Sequence, residues 1–257
     1  MTRTINRRKV LVFATALFGA VLALPQLSPA AAGPQDVAAA VHAKLNKSQF
    51  KDVQVSVDAN GIATLSGTVG LYEYKEDADK ATHKVKGVTA VRNEIQVAGP
   101  SVPDSQLQKS LLEKLTYDRV GYGNEFDAIT LDVENGVATL GGHALDYPSR
   151  DSALALVATT PGIKDVIDNI EVDPVSPMDW NIRMAVARAI YGYVALNKYS
   201  IDPAKPIRIS VQNGNVALYG VVDSQADKNL AGLRANGVPG VFSVKNYLQV
   251  AGQPAEK

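Results

Sequence analysis

The sequence predicts an α+β protein of three tandem αββαβ units, each with two helices packed on one face of a three-stranded mixed sheet. Three observations carry that expectation: an ungapped internal repeat, alternating apolar runs on either side of Asn-Gly pairs, and apolar residues spaced by four upstream of each pair.

The repeat is anchored on Asn60-Gly61, Asn135-Gly136 and Asn213-Gly214. Counted forward from each glycine, the same residue types return in register: Leu65, Leu140 and Leu218; Gly67, Gly142 and Gly220; Ala78, Ala153 and Ala231; Gly87, Gly162 and Gly240; Val91, Val166 and Val244; Val97, Val172 and Val250. With the asparagine, eight columns are identical in all three copies across 38 residues, a register chance does not produce.

The elements follow in order. Val37, Val41 and Leu45 lie four apart, as do Leu107, Leu111 and Leu115, and Ile182, Val186 and Ile190, so each unit opens with a helix. Asp36, Asp104 and Asp179 stand near the helix starts, where negative charge is favoured. Alternating runs (Val53, Val55, Val57; Ile129, Leu131, Val133; Ile207, Ile209, Val211) then flank the Asn-Gly pairs and predict β-hairpins, because Asn and Gly tolerate the positive φ of a type I′ turn. The first copy has one extra residue before its pair, which predicts a longer, bulged loop. Second helices are expected over Tyr72–Lys86, Ser149–Thr160 and Ser224–Asn236, each stopped by the third repeated glycine as a cap or in the turn just beyond. The strand after each helix should run parallel to the strand before it, through a right-handed crossover. Proline-rich joints at Gly99–Pro103 and Asp173–Pro177 divide the units, predicted over 35–99, 104–173 and 178–251.

Residues 1–32 read as a signal peptide: Arg3, Arg7, Arg8 and Lys9, an apolar run from Val10 to Leu24, Pro25, and small residues for cleavage near 30–32. The run is shorter than the roughly 20 residues needed to span a bilayer. The arginine pair leaves the general and twin-arginine export routes both open. These expectations place the protein in the periplasm or outside the cell. The first thirty residues hold four of the 26 basic groups and none of the 26 acidic ones, which leaves 22 against 26 and a net charge of −4 beyond them. That balance argues against a nucleic-acid binder. With no cysteine, disulfides, thiolate metal sites and a cysteine nucleophile are excluded.

The helix, the hairpin reading Asn-Gly-x-[Ala/Val]-x-Leu-x-Gly, the mid-helix alanine and Gly-[Val/Ile]-x-x-Val together resemble the BON domain, named for bacterial osmotically induced and nodulation proteins. Asp168 departs from Asn93 and Asn246 in the other copies. The resemblance implies the αββαβ fold, a secreted or periplasmic home, and non-enzymatic roles in phospholipid association, envelope integrity and osmotic stress. It also allows an alternative, a protein-interaction or chaperone-like module acting on envelope proteins.

No catalytic constellation is present, and no cofactor or metal is expected. His42, His83 and His143 lack ligand-type partners at helical spacing, and the repeated glycines match turns better than a phosphate cradle. Two segments break the symmetry of the repeat. One is Tyr117–Phe126, whose Tyr117, Arg119 and Tyr122 suit a contact surface, or else cover the end of the core. The other is the opening helix of unit three, where Trp180, Met184, Arg188 and Tyr191, with Arg183 nearby, form a second stripe beside the core stripe. These are residue types that settle at a membrane interface; packing of the stripe against unit two is the competing expectation. Candidate partners are therefore anionic phospholipid or envelope proteins, with no span in the mature chain and the oligomeric state open.

Overall fold

The computed structural model describes residues 33–117, 123–202 and 205–252. The expected leader over 1–32 lies outside them, as do Arg119 and Tyr122.

Unit one begins with α1 (Pro34–Lys44), with proline in its first turn and Asp36 accepting from the Gly33 N–H at 3.1 Å. Val37, Val41 and Leu45 are buried. Strand β1 (Val53–Val57) pairs antiparallel with β2 (Ile62–Val69). After α2 (Tyr72–His83), β3 (Ala90–Asn93) and β4 (Gln96–Val97) both pair parallel with β2. Unit two repeats this with α3 (Asp104–Tyr117), a short α4 (Gly123–Phe126), β5 (Ala128–Glu134), β6 (Val137–Ala144), α5 (Tyr147–Ala158), β7 (Asp165–Asp168) and β8 (Glu171–Val172). Unit three has α6 (Pro177–Tyr191), β9 (Arg208–Gln212), β10 (Asn215–Tyr219), β11 (Val221–Val222), α7 (Gln225–Asn236), β12 (Ser243–Asn246) and β13 (Gln249–Val250). Each unit is thus a helical layer over a mixed sheet, and the last strand of each comes in two pieces.

The break in that last strand has a side-chain cause. In units one and three the Asn93 and Asn246 oxygens accept from the N–H two residues on, while their amide nitrogens donate to the carbonyls of Lys75 and Lys228 on the second helix. Asp168 has no N–H to donate. It keeps the first bond, to the Ile170 N–H at 3.1 Å, and pairs instead with the guanidinium of Arg150, which occupies the same repeat position as Lys75 and Lys228. The substitution at 168 is therefore matched by one at 150.

The hairpin turns carry a feature beyond the expected dipole role of the early aspartates. Asp104 accepts from the Asn135 and Gly136 N–H groups at 2.7 and 2.9 Å, and Asp179 from those of Asn213 and Gly214 at 3.0 and 2.8 Å. A carboxylate on the first helix thus clamps the turn whose Asn135 and Asn213 have φ of 55° and 51°. In unit one the extra residue lets Asp58 take over that task within the loop, accepting from the Asn60 and Ile62 N–H groups, and Asn60 is not among the positive-φ residues.

Glycines 61, 67, 87, 136, 142, 162, 214, 220 and 240 all have positive φ. The requirement is plainest at Gly142, where φ is 82° and a Cβ would overlap the Ala128 carbonyl oxygen on the paired strand. At Gly220 the same feature, with φ of 127°, divides β10 from β11, which the continuous alternation did not predict. The second helices are displaced by a few residues from their expected ends. α2 stops at His83 because the chain must turn before Gly87, and α5 starts earlier because Asp146, not Ser149, is its cap, accepting from the Ser149 N–H at 2.8 Å. Ala78, Ala153 and Ala231 are fully buried, so each second helix sits close on its sheet. Among the described residues no helix is long and apolar enough to cross a membrane.

Candidate functional site

Strand β9 shows where two units meet. Ile207, Ile209 and Val211 face the helices of unit three, so Ser210 and Gln212 should face water. Ser210 is nonetheless buried, because the far side of β9 is covered by unit two. Phe126, at the end of α4, is fully buried and belongs to the unit-three core with Ile182 and Val186. The Trp180 ring meets it edge-on at 5.9 Å.

Beside this apolar plug lies a buried polar cluster. Asp173 ends unit two; its N–H donates to the Ala144 carbonyl, and its carboxylate is wholly shielded from solvent. Arg183 of α6 donates from Nη2 to Asp173 Oδ2 at 2.8 Å and to the Val211 carbonyl at 3.1 Å, with its Cζ 5.9 Å from the centre of the Phe126 ring. The Ser210 hydroxyl and Gln212 Nε2 donate to the same carboxylate. Arg183 Nε is buried and makes no hydrogen bond among the described residues. Burial alone would push the Asp173 carboxyl up; His143, Gln212, Arg183 and Ser210 outweigh it and hold the group below the usual carboxylate range.

His143, on β6, completes the cluster. Its Nδ1 lies 3.2 Å from Gln212 Nε2, 3.6 Å from Asp173 Oδ1 and 3.8 Å from Glu171 Oε2. Gln212 Nε2 faces a carboxylate that can only accept, so it is a donor, and neutral His143 must accept at Nδ1 and carry its proton on Nε2. Hydrogen bonding to Asp173 raises the His143 pKa, burial lowers it, and the charges of Asp173 and Glu171 raise it further, for a net upward shift. A raised imidazole value means that the protonated form is tighter in the folded state. This stabilisation is complete below the unfolded value of 6.5 and is lost as pH rises through the folded one. The junction is therefore expected to resist urea better at about pH 6 than at about pH 8, and His143→Gln should flatten that difference in paired denaturation curves.

This geometry divides the stripe expected on α6, with Arg183 and Trp180 turned toward unit two. Arg183 is only 3% exposed and locked to Asp173, so it offers nothing to a membrane. Met184 and Tyr191 pack against the unit-three core, and the Tyr191 hydroxyl donates to the Ile207 carbonyl at 2.6 Å. Trp180 is 38% exposed while its ring packs on Phe126, and Arg188 is exposed as well. Tyr117 is exposed at the end of α3.

Unit three exposes apolar side chains singly at Met178, Leu233 and Phe242, and as a pair in the segment from 192 to 202 between α6 and β9. Leu196 and Tyr199 are buried anchors; the Tyr199 hydroxyl donates to Asp227 at 2.7 Å and accepts from the Asp223 N–H at 2.8 Å. Lys198 pairs with both carboxylates. Held this way, the segment presents Val194 at 85% and Ile201 at 77% exposure, with the Tyr193 ring under the guanidinium of Arg234 at 5.1 Å.

Sequence reasoning missed His143, Asp173, Ser210 and Gln212. The available signal was divergence between repeats: Asp173 stands where the other units have Ala98 and Ala251, and His143 where they have Thr68 and Val221. Counted from Asp36, Asp104 and Asp179 at the starts of the first helices, Arg183 stands where the other units have Ala40 and Gln108. The other histidines are local: His42 is exposed on α1, and His83 lies 3.1 Å from Asp79 one turn away. No group of three or more His, Asp or Glu among the described residues is arranged to hold a metal.

Fold and junction define a tandem αββαβ repeat protein whose second and third units are locked by a buried ion pair and a shared aromatic. The chain belongs to the BON domain family, which it matches over residues 35–99, 103–174 and 187–252. It is 27% identical over 132 residues to osmotically-inducible protein Y of Escherichia coli (strain K12), an alignment covering 47% of this chain and 61% of that protein. The chain thus spans about three fifths of the length of this relative. Two solved structures are more distant. One is the C-terminal domain of CdsD, a structural protein of the type III secretion system of Chlamydia trachomatis, at 16% identity and a TM-score of 0.24, covering 83% of this chain and 96% of that one. The other is the PrgH periplasmic domain, at 8% identity and a TM-score of 0.18, covering 79% and 96%.

Proposed function

We propose that this chain is a non-enzymatic periplasmic protein of the osmotic and envelope-stress response that associates with phospholipid surfaces. The name of the Escherichia coli relative supports the stress role, and membership of the BON family supports the class of protein. The observation that carries the lipid reading is the anchored 192–202 segment. Val194 and Ile201 are held in water by a loop whose own anchors, Leu196 and Tyr199, are buried, so their exposure is built in. Each such side chain gains roughly 1.5–3 kcal/mol on leaving water. The net charge of −4 beyond the leader gives no general attraction to anionic lipid, so contact is local and mainly apolar.

The test is flotation of the purified protein with vesicles of phosphatidylethanolamine and phosphatidylglycerol at low salt. Co-flotation is expected, and the double variant Val194→Ser, Ile201→Ser should lower it at least about tenfold while leaving the fold intact. Absence of co-flotation sinks the lipid reading, and unchanged flotation of the double variant removes this loop from it.

A further inference from the structure

Unit three differs from its sister units on the open face of its sheet, the side away from the helices. At the repeat positions where units one and two carry Ser66 and Gly141, unit three carries Tyr219; where they carry Glu94 and Asn169, it carries Tyr247. Neither tyrosine is needed to close a core, since Tyr247 is exposed and Tyr219 half-buried on the solvent side. The two rings stack at 5.2 Å with their planes 17° apart, and His143 of unit two lies 5.9 Å from the inner ring. Tyr219 is thus held by His143 and Tyr247, and it backs the exposed Tyr247 ring, which is the open part of the platform.

The platform forms part of a groove of about 490 Å³ between the end of unit two and the sheet of unit three. Its polar lining includes Gln212, Asn215 and Lys245. Gln212 spends its side-chain nitrogen on Asp173 and His143, leaving its side-chain Oε1, unlike its backbone carbonyl, without a partner among the described residues. The Asn215 side chain is fixed by bonds to the Gln212 carbonyl and from the Ser243 hydroxyl. The Lys245 ammonium has no ion-pair partner among the described residues.

We infer that this groove is a carbohydrate-binding site, taking a glycan segment that lies on the tyrosine platform and presents an acidic group to Lys245. A sugar ring offers an apolar C–H face to an aromatic ring and hydroxyls at its rim to amides and hydroxyls, which is the combination gathered here. The groove is partly open to solvent, so it suits a ligand that keeps one side in water, as a chain of sugars does, better than a small molecule that must be desolvated on all sides. Lys245 supplies a point charge at one end of the platform, which favours an acidic sugar over a neutral one. The site depends on the junction, because His143 comes from unit two and the rest from unit three. It is separate from the apolar 192–202 loop.

The probes are a tetramer of N-acetylglucosamine and a tetramer of galacturonic acid, each titrated into the purified protein by calorimetry, with tyrosine ring resonances followed by NMR. Both oligosaccharides are expected to bind, the acidic one more tightly, with shifts at Tyr219 and Tyr247. Tyr247→Ala should weaken both about tenfold, the ceiling expected for one lost stacking contact. Lys245→Ala should weaken only the acidic probe. Tyr219→Ser, which installs the residue unit one already carries at that position, guards against misfolding as the explanation and should behave like Tyr247→Ala. Vesicle flotation should be unchanged in all three variants. The inference fails if neither oligosaccharide binds, or if both tyrosine variants bind as tightly as the parent.

Discussion

Asp173→Ala is expected to cost about 3–5 kcal/mol of unfolding free energy, because it strands the Arg183 charge in a site that is only 3% exposed. Among the described residues Arg183 has one carboxylate partner, its Nε lacks a hydrogen bond, and its only other acceptor is the Val211 carbonyl. Ser210 loses its acceptor in the same stroke while Gln212 keeps only His143, and a buried donor without a partner adds to the penalty. Urea denaturation measures the loss. The control is Asp173→Ala combined with Arg183→Met, which removes both charges and keeps the volume of the arginine stem. Removing a buried pair together is far milder than removing one member, so the double variant should recover most of the stability. A loss below about 1 kcal/mol in the single variant would mean that water reaches Arg183, and the junction would not be the sealed lock its geometry describes.

The parts of the fold that were legible in the sequence are those that repeat. Gly142 and its counterparts are fixed by a backbone approach that occurs in every unit, so they recur in register and announce themselves. The longer loop of unit one was legible because an insertion breaks an otherwise ungapped register. The junction was not legible, for a physical reason. Arg183 on a helix face looks the same whether the neighbouring surface is water, lipid or another unit, and only the arrival of Asp173 from outside the helix decides among them. Ser210 likewise sits at a strand position that alternation assigns to solvent, and it is buried because a different unit covers it. Period-two and period-four patterns report the core that an element builds with its own unit. Contacts between units fall on the opposite faces, where polar residues carry no such period. Divergence between aligned copies is the remaining signal, and Asp173 in a column of alanines and Tyr219 opposite Ser66 and Gly141 are its clearest instances here.

Phe126→Ala carries the second large expected effect, a loss of about 3–5 kcal/mol. The ring is fully buried, leaves its own unit and is counted in the core of the next one, so its removal opens a cavity that neither unit can close alone. Trp180 is the only tryptophan in the chain and touches this ring edge-on, which gives the prediction a direct optical readout. Its emission in the folded variant should shift to the red as the indole loses its apolar neighbour. The ring is also the aromatic partner of the Arg183 guanidinium. The penalties of Phe126→Ala and Asp173→Ala should therefore add to more than the double variant loses, since water admitted by the first relieves part of the second. Simple additivity would show that the apolar plug and the ion pair act independently. Vesicle association separates this role from the proposed lipid contact. The 192–202 loop is anchored inside unit three by Leu196 and by the bonds of Tyr199 to Asp223 and Asp227. A variant that loosens the junction but leaves unit three folded should therefore still float with lipid, while oligosaccharide binding, which draws His143 from unit two, should fall.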